Sequence, residues 1–279
     1  MFLLKNKEIE AKIVIDKQGL EVVSLKHNGI EVLYQQDGSW GKTWPILYPI
    51  CGSVNGPYLH NGRDYHTPRH GFFSQIKDWT IDSQTNEKIV CHFKNHYQFQ
   101  DIYPFEFEIT ITILLDNNKF IYLFDVMNIG KELMSYSFGH HPAFKVEKDS
   151  KVIFSNEQFY SSKAGKGNTY VPDHNKIAAK EIVISEVDFS DSKSLLFDQF
   201  NLDSITYLYK DKTINMYFDK NPYFVIWKAT NDMDFVCLEP YWGLPDLETR
   251  LGNRYRDKLG MKQLECGESE VLTMTLEIN

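Results

Sequence analysis

The chain has 279 residues, 42% of them hydrophobic and 14% aromatic. That is enough for a large core and too apolar for a disordered chain. Thirty Lys and Arg against 38 Asp and Glu leave a formal net charge of −8, which argues against nucleic acid or an anionic membrane surface as partner.

The opening Met1-Phe2-Leu3-Leu4 is too short an apolar run for a signal peptide, and Glu8 follows soon after. No later run approaches the length of a membrane span. Cys51, Cys91, Cys237 and Cys266 are widely spaced, with no CxxC. In a chain without an export signal they are expected to be reduced, buried thiols rather than disulfides or zinc ligands. The expected location is the cytoplasm.

In chain order the elements read as strands. Glu8 to Ile15 alternates in part, and Lys17-Gln18-Gly19 turns it into Leu20 to Lys26. His27-Asn28-Gly29 and Asn61-Gly62 are hairpin signals. Between them, Trp44-Pro45-Ile46-Leu47-Tyr48-Pro49-Ile50-Cys51-Gly52 holds two prolines and a glycine. It is expected to be an irregular wall of a site rather than a regular central strand. Thr67-Pro68-Arg69-His70-Gly71-Phe72-Phe73 joins a histidine to an arginine, a glycine and aromatics.

Trp79 to Asp82 and Lys88 to Phe93 form a hairpin pattern, and Phe105 to Ile113 has apolar residues at every second position. Such a strand buries one face in an antiparallel sheet. Asp116-Asn117-Asn118 turns it into Phe120 to Val126. Asp149 to Asp173 is expected to be a long loop with one short strand, Val152 to Phe154. Ser194 to Asn201 reads as a single helical turn. Short strands follow at Ser204 to Tyr209, Thr213 to Phe218, Tyr223 to Trp227 and Val271 to Ile278. No long stretch has a 3.6-residue period and no composition shift marks a boundary. An all-β sandwich or barrel in one domain, residues 1–279, is expected.

Two stretches carry candidate chemistry. In Phe138-Gly139-His140-His141-Pro142 the proline pushes His141 towards an extended conformation, so His140 and His141 would face opposite ways. One ring would then face a concave surface, where it could deliver a proton. The plain alternative is a surface histidine pair at a strand end. Glu239 ends the apolar run Phe235 to Leu238 and precedes Pro240, Tyr241 and Trp242. Desolvation there would raise its pKa towards the range of a general base; the plain alternative is a strand-end glutamate in a salt bridge. Aromatic neighbours suit a carbohydrate site.

Taken together, four segments resemble motifs of the aldose 1-epimerase (galactose mutarotase) superfamily. Gly139-His140-His141-Pro142-Ala143-Phe144 resembles GxHPxF, and Pro68-Arg69-His70-Gly71-Phe72 resembles PxHGF. Cys237 to Asp246 resembles CxEPWxGxxD, and Tyr48-Pro49-Ile50-Cys51-Gly52 resembles FPIxGR. Order and spacing agree from about Gly19 to the end, and the look is that of the LacX-type branch.

The resemblance implies a large antiparallel β-sandwich with the site on its concave face. It implies His141 as general acid, Glu239 as general base and His70 as a sugar ligand. It also implies an aspartate that binds sugar hydroxyls, for which Asp198 is the candidate. The implied substrate is an aldose, with neither cofactor nor metal. Two family arginines are replaced by Ser53 and Ser74, so a neutral sugar is expected over its phosphate, and Arg69 is the one residue that could substitute. A carbohydrate-binding or sensing protein on the same fold is the alternative. A glycosidase would need a second catalytic carboxylate, and none stands out.

Overall fold

The computed structural model describes residues 1–279 except Lys17, Gln18, Ser39, Lys220 and Asn221, and the side chain of Ser192. The expected turn at Lys17-Gln18-Gly19 therefore lies partly outside the described residues. Among those described, the chain is built of β-strands with only short 3-10 turns. No helix is long and apolar enough to cross a membrane.

The largest sheet has nine antiparallel strands among the described residues. Its centre is Ser269–Ile278, Lys119–Asn128 and Phe107–Asp116. Strict alternation makes this sheet: Phe107, Ile109, Ile111, Ile113 and Leu115 are buried and the residues between them are partly exposed. They pair in register with the equally alternating Lys119–Asn128, with Ile111 opposite Phe124.

A six-stranded sheet packs against it. Ser194–Phe197, Tyr223–Trp227, Phe235–Trp242, Phe138–His140 and Ile46–Leu47 run in that order, and Ala143–Lys145 also pairs with Phe235–Trp242. Phe235–Trp242 is buried on both faces, which is why its sequence runs apolar without alternating. Its Val236, Leu238 and Trp242 enter the main core, while Cys237 and Tyr241 join small clusters on the opposite face. Phe124 stacks on Phe138 at 3.9 Å between ring centroids and so joins the two sheets.

The expected hairpins form. Asn28 and Gly29, and again Asn61 and Gly62, take the positive φ that their turns require. Two expectations are corrected. Ser194 to Asn201 is no helical turn: Ser194–Phe197 pairs with Tyr223–Trp227, because Leu195 and Phe197 alternate into the core. The strand within 149–173 is longer than Val152 to Phe154; it spans Lys151–Tyr160 and bulges between Ile153 and Gln158. Cys51, Cys91 and Cys237 are buried free thiols, but Cys266 is exposed beside the turn at Gly267.

Candidate active site

The two neighbouring histidines divide the six-stranded sheet between core and cleft. His140 is fully buried against the large sheet, where Trp44 Nε1 donates to its Nδ1 at 3.2 Å and Tyr122 meets its ring edge-on at 4.8 Å. His141 faces the other way. Its backbone N–H donates to Pro45 O at 3.1 Å, and its ring stacks on Trp40 at 5.5 Å and meets Trp227 edge-on at 5.4 Å. The surface-pair reading fails, since His141 is only 9% exposed.

Glu239 lies in mid-strand rather than at a strand end, paired with Val225 and 1% exposed. Its Oε2 is 3.3 Å from His141 Nε2 and accepts a short hydrogen bond from Tyr241 Oη. The side chains at 237, 239 and 241 share one face because strand side chains alternate. Gly139, opposite Tyr241, lets that ring lie close: a Cβ there would sit 2.8 Å from Tyr241 Cδ1 and 3.1 Å from Cys51 Sγ.

His70 reaches the same cleft through a backbone clasp. Gly71 has φ +72°, and a Cβ on it would lie 2.0 Å from Tyr48 O. That carbonyl accepts the Phe72 N–H at 2.8 Å. The His70 N–H donates to Gly52 O at 3.0 Å, and the Gly52 N–H donates to His70 Nδ1 at 3.2 Å. His70 itself sits at φ 62°, a strained value for a residue with a side chain. Arg69 Nε lies 3.1 Å from His70 Nε2, and the His70 ring meets His141 at 5.9 Å.

These groups surround a cleft of about 560 Å³. Its wall includes Pro45 and the two-residue edge strand Ile46–Leu47, a lining segment as expected but one that pairs with Phe138–His140 rather than being irregular throughout. Burial governs the electrostatics. It pushes Glu239 up to about 8, against the opposing hydrogen bond from Tyr241 and the Arg69 guanidinium. It pushes His141 down to about 3 and His70 well below the usual histidine range, the latter helped by the charges of His141 and Arg69. Glu239 Oε1 and His141 Nδ1 are buried and have no hydrogen-bond partner among the described residues. A carboxylate oxygen and a ring nitrogen are thus left for a guest.

The sequence reading placed His141, Glu239, His70 and Arg69 in one site, and the structure brings them together. Asp198 does not line the cleft. One of its oxygens accepts from Tyr170 Oη at 2.5 Å and the other pairs with Lys176. Trp40, Lys42, Asn168 and Trp227 line the cleft and were missed. The only signal for the tryptophans was their rarity, five in the chain; the partner walls come from segments nearly 190 residues apart. Ser53 and Ser74 line the cleft too, with the Ser53 hydroxyl donating to Gly167 O at 2.7 Å.

The family described as aldose 1-epimerase matches residues 1–261. The plasmid-encoded Protein LacX of Lactococcus lactis is 28% identical over 263 residues, covering 86% of this chain and 87% of that protein. A galactose mutarotase related enzyme from Lactobacillus acidophilus superposes with a TM-score of 0.87 at 24% identity, over 100% of this chain and 97% of the other. A galactose mutarotase-like protein from Lactobacillus casei gives 0.84 at 20% identity over the full length of both. These two structures establish the fold as the galactose mutarotase-like β-sandwich.

Proposed function

This chain belongs to the aldose 1-epimerase family, and on that premise we propose that it interconverts the α and β anomers of an aldose. The observation that supports this most is the contact of His141 Nε2 with Glu239 Oε2 at 3.3 Å, buried in a cleft walled by tryptophan. Opening a sugar ring requires a proton to leave the anomeric hydroxyl while another reaches the ring oxygen. An acid and a base a few ångströms apart serve both ends of that exchange.

In this reading Glu239 takes the anomeric proton and His141 gives one to the ring oxygen. The C1–O5 bond breaks to give the open-chain aldehyde. Rotation about C1–C2 presents the other face of the carbonyl. Reclosure returns the proton from Glu239 to O1 and one from O5 to His141, so the protein ends as it began. Tyr241 holds Glu239 in place through its hydroxyl. Trp40 and Trp227 offer apolar ring faces to sugar C–H groups. His70 and Arg69 lie where hydroxyls of the same sugar could reach them. Asp198 has no part in this proposal, because it does not line the cleft and Lys176 and Tyr170 occupy its oxygens.

Polarimetry on freshly dissolved single anomers of a panel of aldoses tests the reading. Faster approach to the equilibrium rotation with at least one aldose is expected. Tight sugar binding without any acceleration would leave a carbohydrate-binding protein instead.

A further inference from the structure

The strand that carries Glu239 also carries a thiol that the proposed chemistry does not use. Cys237 lies two residues before Glu239 on the same face, fully buried beneath Trp40 and Trp227. Ligand atoms of His141, Cys237 and Glu239 all lie within 4.8 Å of one another. We propose that these three side chains form a binding site for one thiophilic divalent cation, of which zinc is the type, and that the ion and the sugar exclude each other.

Three arguments support the site. First, the donor set of one imidazole, one thiolate and one carboxylate is of the kind zinc takes, and two of its three members, His141 and Glu239, line the cleft. Second, Glu239 Oε1 has no hydrogen-bond partner among the described residues, so the carboxylate keeps a buried oxygen for a metal even though Tyr241 occupies Oε2. Third, the spacing is close to what a metal needs. Tetrahedral zinc holds its ligands about 3.2–3.8 Å apart. The His141–Glu239 contact, at 3.3 Å, is already there. From the outer limit of 4.8 Å the thiol has to close by about 1 to 1.6 Å, through rotation about its own side-chain bond together with small shifts of its partners.

Binding replaces the thiol proton of Cys237, which leaves to solvent as the sulfur–metal bond forms. No oxidation state changes. The ion takes the same lone pairs on His141 and Glu239 that would move protons to and from a sugar. Exclusion of the sugar therefore rests on the acid–base assignment above; capture of the ion does not.

The test uses the full chain, with Zn²⁺ in calorimetric titrations and Co²⁺ as a spectroscopic probe, on wild type, Cys237→Ser and Cys266→Ser. One ion per chain is expected, with a thiolate-to-cobalt charge-transfer band. Cys237→Ser should weaken zinc binding at least tenfold and abolish the band while leaving anomer exchange in place. Cys266→Ser should change neither. No stoichiometric binding, or a band that vanishes with Cys266 rather than Cys237, would overturn the site. Zinc that binds with the expected band but leaves anomer exchange untouched would overturn the exclusion, and with it the acid–base assignment, while the metal site stood.

Discussion

Burial acts on the two sides of the His141–Glu239 contact in opposite senses. It disfavours the carboxylate and raises Glu239 to about 8, and it disfavours the imidazolium and lowers His141 to about 3. Between those values the pair holds one proton in total, and in the free protein that proton rests on Glu239. Catalysis needs the same proton count with the proton on His141, so the productive form is a tautomer of the resting one. The profile of kcat/KM against pH should accordingly have a broad top. Its alkaline limb should fall near pH 8, where the pair loses its one proton; its acid limb should fall well below pH 6, where the pair gains a second. Stopped-flow polarimetry across pH 4 to 10 measures this. An acid limb centred near pH 6.5, the value of an ordinary histidine, would contradict the shared-proton account.

At the scale of elements, the clasp between 48–53 and 67–73 sets the position of His70. Replacing Gly71 by alanine would drive a Cβ into the Tyr48 carbonyl at a positive φ. The expected cost is more than about 1 kcal/mol of stability, together with a fall in kcat/KM as His70 shifts. Thermal unfolding and steady-state rates check both, and a variant with unchanged melting and unchanged kcat/KM would show the clasp to be unimportant.

This is also the scale at which the sequence was most readable. Hairpin turns such as Asn28-Gly29 and Asn61-Gly62 are encoded in two adjacent residues, and Phe107–Asp116 declares its faces by alternation. That His140 and His141 face opposite ways was legible because Pro142 favours an extended backbone there; which of the two faces the cleft came only from the resemblance to the family motif. Ser194–Phe197 was misread because four residues are too few for a period to show. Only its pairing with Tyr223–Trp227 makes it a strand. Asp198, just beyond it, was chosen by region alone, and nothing local announces that Lys176 and Tyr170 hold it.

For the whole molecule, the charge of the cleft differs from that of the chain. The protein carries −8 overall, yet Lys42 and Arg69 both line the cleft and Glu239 is the one carboxylate among its described lining residues. Burial keeps Glu239 largely uncharged. Replacing family arginines by Ser53 and Ser74 suggested a neutral sugar, but Lys42 could not be assigned to the cleft before the fold was known. The fold places it in the same cleft wall as Arg69, and both charges bear on His141. Lys42→Ala and Arg69→Ala should therefore each raise KM several-fold more for a hexose 6-phosphate than for the free hexose, and added salt should shrink the difference. Equal effects on the two sugars would show that neither cation meets the substrate.

The proposed anomer exchange depends on His141 and Glu239 moving the protons. Magnetisation-exchange NMR on an equilibrated aldose reports anomer exchange directly, for wild type and for His141→Asn, Glu239→Gln and His140→Asn. His141→Asn and Glu239→Gln should each slow turnover by about 10²- to 10⁴-fold, while sugar affinity changes far less. His140→Asn, on the core side of the sheet, should lower stability but leave turnover per folded molecule nearly intact. Exchange that survives in both His141→Asn and Glu239→Gln, or is lost only in His140→Asn, would contradict it.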